Sequence, residues 1–398
     1  MRQSNIDTKW QNLTIKQLEL AEASIRQKYL DLAHGWNGLR KFKIAAKTME
    51  CEDVCTFHLA PHDLQTLPQY KPGQHLTLSI QPHNQKKIVR CYSLSDCFGS
   101  ENQYSITVKL QKGHDEHPDG KGSSLLHQDT HVGDLIDIKA PKGSFFLNQK
   151  SLLPVVLLAN GVGITPLLAM MKHLYENDPD RNVSLFYGIQ NSKHFIKEKL
   201  LRQLQETYPA FSLTLFFSRP LENDRLDQDY QHIGHMKTET IIKSISGASS
   251  FLDLESHQKF EFYICGTAPM MKHIIAGLKA WDVPNELINY EAFGAAGIQK
   301  KKTKTTPDSK DQQTHTIELR QSGKKLQWNN VESNLLDLCL NQSVPIDCGC
   351  CCGECGTCEV AIISGSVYYP DRKPETEVQE GHCLMCIAAP TSSLILDT

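Results

Sequence analysis

Nine of the chain's fourteen cysteines fall between Cys339 and Cys386, most densely in Cys348-Gly-Cys-Cys-Cys-Gly-Glu-Cys-Gly-Thr-Cys358. Such crowding in a reducing compartment points to a metal site rather than a disulfide scaffold. Cys350, Cys355 and Cys358 have the C-x4-C-x2-C spacing of thiolates that hold a two-iron, two-sulfide cluster. The frame is set by elimination: five residues after Cys348, Cys351 and Cys352 stand Gly353, Gly356 and Thr357, so only Cys350 opens it. Soft thiolates favour iron, and Gly353 and Gly356 let backbone N–H groups approach the sulfides. A further thiol pair, Cys383 and Cys386, stands near the C-terminal end. Tetrahedral zinc on the pairs 355/358 and 383/386 is the alternative; Cys350 and the two glycines stand against it.

Two other groups of residues suit redox chemistry. Arg90-Cys-Tyr92-Ser93 is followed about thirty residues later by Gly120-Lys-Gly122-Ser123-Ser124. A flavin needs a cation for its phosphate, a flat side chain for its ring and a small polar group near N5. Ser123 and Ser124 are expected to open a helix whose free N–H groups attract phosphate. The second group is Asn160-Gly161-Val-Gly163-Ile-Thr165-Pro166, which follows an apolar run and opens a helix. Glycines there bring the backbone close to a pyrophosphate, and Pro166 suits a first helical turn. Cys265-Gly266 closes another apolar run, and Arg219 stands in Phe217-Ser-Arg-Pro. Arg219 is suited either to pair with an adenosine 2'-phosphate or simply to end a strand, so NADH and NADPH both stay open.

The elements that must position these residues follow from length and patterning. A chain of 398 residues exceeds one ordinary domain, and 40% apolar with 22% charged residues excludes collagen-like and wholly disordered classes. A formal charge of −3 excludes a surface that grips nucleic acid throughout. The N-terminus lacks an apolar core of signal-peptide length, so the cytoplasm is the expected location. The uncharged run 151–171 is interrupted by Pro154, Gly161, Gly163 and Pro166 and reads as strand, turn and helix rather than a membrane span.

Residues 1–38 form an N-terminal extension, with apolar residues at helical steps over 8–34. Residues 39–148 alternate over short segments, as the antiparallel strands of a β-barrel do. Residues 149–296 alternate apolar strands with helices, including helices near 193–207, 238–245 and 268–280, and predict a doubly wound α/β domain. A polar linker spans 297–314, and 315–398 is a small unit with eleven acidic against five basic residues.

The motifs R-x-Y-S, G-x-x-S, G-x-G-x-T-P, C-G-x-x-x-M (265–270) and E-x-F-G (291–294) together resemble the ferredoxin reductase-like flavoprotein family. C-x-x-G-x-C-G-x-C and the closing Leu384-Met-Cys386 resemble its partner, the plant-type ferredoxin domain, an α+β β-grasp fold. The resemblance spans about 39–398. It implies an FAD site (FMN being the alternative) in which Arg90 meets the phosphate, Tyr92 lies along the ring and Ser93 hydrogen-bonds near N5, with Gly122, Ser123, Ser124 and Phe293 also on the cofactor. It implies a nicotinamide site of Gly161, Gly163, Thr165, Cys265 and Gly266, with Ser93 and Cys265 at the reacting atoms. It gives Glu291 a place beside the flavin, against a place on the surface. The cluster's ligands would be Cys350, Cys355, Cys358 and Cys386, with Cys351, Cys352 or Cys383 as rival ligands.

The order flavin barrel, nicotinamide domain, ferredoxin is similar to single-chain reductase components that serve oxygenases. It implies electrons passing from NAD(P)H through FAD and a [2Fe-2S] cluster to an acceptor protein, with no nucleic acid partner. A stand-alone NAD(P)H oxidase or acceptor reductase, and a non-catalytic redox-sensing interaction protein, are the alternatives.

Overall fold

A computed structural model describes residues 35–36, 38–80, 88–96, 102–113, 119–247, 260–292 and, toward the C-terminus, 314–329, 332, 334–342, 344, 346, 353, 356, 358–370, 373–374 and 376–398. The helical reading of 8–34, linker residues 297–313, Phe293, Cys350, Cys355 and the rival ligands Cys351 and Cys352 lie outside the described residues.

Six strands build the first unit: β1 (Arg40–Cys51), β2 (Val54–Pro61), β3 (His75–Ile80), β4 (Ile88–Ser93), β5 (Tyr104–Lys109) and β6 (Leu135–Lys142). They run in the order β4-β3-β6-β1-β2-β5, each pair antiparallel. Leu94, just beyond β4, bridges Ile106 in β5, and the Ser95 amide donates to the Ser105 carbonyl at 2.9 Å. The two edge strands therefore meet and the sheet closes into a barrel around Phe42, Phe57, Leu76 and Ile106. Closure removes the open edges that an antiparallel sheet otherwise exposes. Between β5 and β6, helix α1 (Lys121–Ser124) continues as a π-helical turn over Leu125–Asp129.

The second unit alternates β7 (Val155–Asn160), α2 (Ile164–Asn177), β8 (Val183–Ile189), α3 (Glu198–Thr207), β9 (Phe211–Phe217), β10 (His232–Ile233), α4 (Thr238–Gly247), β11 (Glu261–Gly266), α5 (Ala268–Ala280) and β12 (Ile288–Ala292). Its sheet is wholly parallel, in the order β10-β9-β8-β7-β11-β12. Alternate residues of β7 enter opposite cores: Val155, Leu157 and Ala159 on one face, Val156 and Leu158 on the other. That two-sided burial is why the strand reads as an unbroken apolar run. The helix expected over 193–207 is divided. A 3-10 turn occupies Ser192–His194, and Lys197, with φ of 57°, precedes α3 in the left-handed region that stops a helix from propagating backward.

Barrel and sheet pack on each other. Phe145, Leu147 and Val54 join the core of the parallel unit, and a Cβ on Gly73 would stand 2.5 Å from Met170 Cε. Ion pairs Lys197–Glu50, at 2.7 Å, and Lys172–Asp96 tie the two units.

The C-terminal unit contains β13 (His315–Leu319), β14 (Lys324–Trp328), α6 (Leu335–Asn341), β15 (Glu359–Ser364), β16 (Val367–Tyr368), β17 (His382–Leu384), β18 (Ala389–Pro390) and β19 (Leu394–Leu396). The mixed sheet β14-β13-β19-β15-β17 carries parallel β13 and β19 at its centre, with α6 packed over Trp328, Met385 and Leu396. This is a β-grasp arrangement. Among the described residues no helix is long and apolar enough to cross a membrane.

Candidate functional site

The strand order of the parallel sheet decides where its site lies. From β7 the chain winds outward through β8, β9 and β10, then returns across the sheet to β11 on the other side of β7. The crevice beyond the carboxyl ends of β7 and β11 is thus the switch point at which open α/β sheets bind ligands. Gly161 and Gly163 follow β7, and Gly266 closes β11. A Cβ on Gly163 would stand 2.3 Å from the Cys265 carbonyl oxygen and 2.7 Å from Gly266 Cα, so only glycine permits this approach. Gly161 has open space around it and a φ of 54°, which admits glycine most readily. Thr165 is buried and donates its hydroxyl to the Val162 carbonyl at 3.0 Å, which braces the turn.

A cleft of about 1120 Å³ opens here, lined by residues after β7, β8, β9 and β11 and, across the unit boundary, by Asp53, Lys109 and Gln111 of the barrel. Its size exceeds the roughly 300–1,000 Å³ of most small-molecule pockets and leaves room for a dinucleotide.

Two cross-strand pairs meet at the junction of barrel and sheet. In the barrel, Ser93 of β4 lies opposite His75 of β3. In the sheet, Cys265 of β11 lies beside Glu291 of β12. The Ser93 hydroxyl donates to Glu291 Oε2 at 3.3 Å, and His75 Nδ1 is 4.0 Å from Oε1. Glu291 is therefore a partly buried residue of the junction, its side chain 21% exposed. Burial pushes its carboxyl up from the usual value, while the proximity of His75 and the Ser93 hydrogen bond pull the other way. Cys265 is fully buried, and burial followed by the Glu291 charge raises its thiol well above the ordinary range. It is a neutral, small, polarisable side chain, not a nucleophile.

Arg90 and Tyr92, two residues apart on β4, share a face, while the Cys91 sulfur turns the other way to the Thr77 hydroxyl at 3.3 Å. A Cβ on Gly122 would meet Arg90 Cγ at 2.8 Å and the Tyr92 hydroxyl at 3.0 Å. Fold closure thus brings the two flavin-type motifs into contact. The helix opens at Lys121, two residues earlier than the serines suggest, because the Ser124 amide is already bonded to the Gly120 carbonyl at 2.9 Å. The Ser123 hydroxyl is also engaged, donating to the Gly120 carbonyl at 2.9 Å and accepting from the Gln111 amide at 3.1 Å. Ser124 Oγ is buried without a hydrogen-bond partner among the described residues. The half-buried Arg90 and Tyr92 beside Gly122 suit the phosphate and ring of a flavin, and the orphan Ser124 hydroxyl on the same helix is a polar atom whose burial without a partner costs free energy.

In the C-terminal unit Cys358 and Cys386 are buried and joined through the backbone, the Met385 amide donating to the Cys358 carbonyl at 3.1 Å. Gly353 and Gly356 adopt φ of 82° and 74°, left-handed values that let a tight loop form. Cys383 lies on β17 opposite Val360, fully buried, its thiol pushed up to about 12 by burial. Buried thiols beside a loop of left-handed glycines suit an iron–sulfur cluster.

Sequence reasoning missed the barrel members of the cleft, Lys109 and Asp53, the sheet members His235 and Lys237, and the His75 beside Glu291. None stands in a motif; docking of barrel on sheet brings in the barrel residues, and the pairing of β10 with β9 brings in His235 and Lys237.

Among known proteins, the chain is 35% identical over 264 residues to a flavohemoprotein of Halalkalibacterium halodurans, covering 66% of this chain and 62% of that protein. The chain spans 62–66% of the length of the flavohemoproteins it matches. The FAD/NAD-binding domain of nitric oxide dioxygenase from Vibrio cholerae O1 biovar El Tor superposes with a TM-score of 0.54 at 28% identity, over 64% of this chain and 98% of that one. Phthalate dioxygenase reductase shares the fold over 91% of this chain and 98% of its own, with a TM-score of 0.54 at 22% identity. The oxidoreductase FAD-binding domain family matches residues 41–147, the oxidoreductase NAD-binding domain family 157–275, and the 2Fe-2S iron-sulfur cluster binding domain family 317–391. With all three in that order on one polypeptide, the chain belongs to the ferredoxin reductase-like flavoproteins that carry a C-terminal [2Fe-2S] domain.

Proposed function

We propose that this chain is an NAD(P)H-dependent reductase that takes a hydride from the nicotinamide, passes electrons through FAD to the [2Fe-2S] cluster, and delivers them to a separate acceptor protein such as an oxygenase component. When bound, the flavin supplies the exchange between two-electron hydride chemistry and the one-electron chemistry of the cluster. The residues of the chain provide position and environment. Gly161, Gly163 and Gly266 let the dinucleotide approach the sheet, and Cys265 forms a neutral wall for the nicotinamide. Ser93, held by Glu291, presents a hydroxyl from the barrel side. Arg90, Tyr92, Gly122 and the orphan Ser124 hydroxyl form the seat for the flavin's phosphate and ring. Cys350, Cys355, Cys358 and Cys386 are the proposed cluster ligands. No general acid or base is needed for hydride movement, so the work is alignment.

The observation that supports this reading most is the meeting of the barrel pair His75/Ser93 with the sheet pair Cys265/Glu291, across a 3.3 Å hydrogen bond. It puts the flavin-type and nicotinamide-type groups at one place. The eleven acidic and five basic residues of 315–398 suit a basic acceptor surface, whose reduction would slow as ionic strength rises. The test is anaerobic addition of NADH or NADPH while flavin and cluster absorbance are followed. Flavin bleaching with or before cluster bleaching is expected; cluster reduction with no flavin turnover would refute the order of transfer.

A further inference from the structure

The two ends of the nucleotide cleft differ in charge. At the β7/β11 end the lining includes Gly161, Gly163 and Gly266 with the uncharged Thr267, Pro269 and Met270. At the other end the loops after β9 and β10 lie side by side. The Ser218 amide donates to the Ile189 carbonyl at 2.9 Å, the Arg219 amide to the Gln190 carbonyl at 2.8 Å, and the Gly234 amide to the Phe217 carbonyl at 2.8 Å. These bonds bring Ser218 and Arg219 next to the segment that carries His235 and Lys237, and all four line the cleft.

Neither Arg219 nor Lys237 forms an ion pair with a carboxylate among the described residues. The one carboxylate lining the cleft there, Asp53, is engaged by Lys109 at 3.3 Å and lies on the barrel side. The nearby Asp224 is not in the lining; it accepts from the backbone amides of Leu221, at 2.8 Å, and Ser192, at 3.4 Å. This arrangement decides between two ribose environments. A 2'-hydroxyl is recognised by a carboxylate that accepts its proton, whereas a 2'-phosphate is recognised by cations. Geometry matches as well. β9 lies three strand spacings from β11, so with neighbouring strands about 4.8 Å apart the two ends are separated by roughly 14 Å, a span suited to an extended dinucleotide.

We infer that the nucleotide used at this site is NADPH in preference to NADH, its adenosine 2'-phosphate held between Arg219 and Lys237, with Ser218 and His235 as flanking donors. The inference rests on the nucleotide site of the reading above and adds Lys237, on the segment after β10, as a specificity-determining residue.

Calorimetric titration of the flavin-loaded full chain with 2',5'-ADP and with 5'-AMP isolates the 2'-phosphate from all redox chemistry. The 2'-phosphate is expected to tighten binding about tenfold or more, the effect of one or two charge-assisted hydrogen bonds. Arg219→Ala and Lys237→Ala are each expected to shrink the ratio of the two affinities by about tenfold, and raised salt to shrink it in the parent. In anaerobic flavin reduction, kcat/KM for NADPH should exceed that for NADH. Equal affinity for the two probes, or a preference for NADH with flavin still reduced, overturns the NADPH assignment and leaves the reductase reading intact. Failure of both nucleotides to reduce the flavin overturns the reductase reading itself.

Discussion

Gly163→Ala isolates the close approach on which the nicotinamide site depends. Gly163 has φ of −61°, an ordinary value for alanine, so the substitution adds no backbone strain. What it adds is one methyl group facing backbone on the adjacent strand: 2.3 Å from the Cys265 carbonyl oxygen, 2.5 Å from its carbonyl carbon and 2.7 Å from Gly266 Cα. None of these atoms can rotate away. To restore ordinary contact, the ends of β7 and β11 must part by about 1 Å. Overpacking of this kind costs about 1–3 kcal/mol of stability. The same displacement carries Cys265 and Gly266 away from the reacting atoms, and about 1 Å of misplacement costs on the order of 10²-fold in rate. Gly161→Ala is the matched control. Its added methyl meets open space, and the left-handed φ of 54° leaves only a conformational cost of about 1–2 kcal/mol. The assay is stopped-flow flavin reduction under anaerobic conditions together with thermal unfolding of each variant. The expected pattern is similar melting temperatures for the two variants, with a rate loss on the order of 10²-fold confined to Gly163→Ala. A Gly163→Ala protein that reduces its flavin within about twofold of the parent rate would show that the β7–β11 contact does not set nicotinamide geometry.

Glu291→Gln removes the partly buried carboxylate at the junction. Burial raises the carboxyl above its usual value of 4.5, so the folded chain binds that proton more tightly than the unfolded chain. Its contribution to stability is full below about pH 4.5 and is lost as pH rises through the folded value. The glutamine variant should therefore gain melting temperature over the parent at neutral pH and converge with it in acid, while an ionisation disappears from the pH profile of flavin reduction; parallel melting curves at all pH values would contradict this. At the cluster, Cys386→Ser is expected to lose iron and visible absorbance on purification, whereas Cys383→Ser retains both. The reverse outcome, read by iron analysis, would make Cys383 the fourth ligand.

Much of the architecture was legible because hydrophobic period reports burial directly. The continuous apolar residues of β7 mark a strand covered on both faces, and the short alternating segments between 39 and 148 mark barrel strands, although β2 and β3 are buried on both faces where the alternation suggests one. Local dihedral signals were less reliable. The stretch 193–207 has helical composition throughout, yet Lys197 in the left-handed region divides it, at a residue whose side chain pairs with Glu50 of the barrel at 2.7 Å. The serines of Gly120-Lys-Gly122-Ser123-Ser124 suggest a helix start at the first of them, but the amide of Ser124 is satisfied by Gly120 and the helix begins at Lys121.

By itself the sequence determined the kinds of chemistry present: thiolates at cluster spacing, a glycine turn after a buried strand, and a cation, ring and hydroxyls of flavin type. These are carried by neighbours in the chain, so spacing alone expresses them. Only the tertiary structure decided how the parts meet. It set Ser93 against Glu291, 198 residues apart, placed Gly122 on Arg90 and Tyr92, and gathered Arg219 and Lys237 along one rim of the cleft. The physical reason is that each of these contacts is made by closing a barrel, docking it on a sheet, or pairing neighbouring strands within that sheet. Such steps are driven by non-directional burial of apolar surface elsewhere, in Phe145, Leu147 and Val54, and leave no local signature at the residues they bring together.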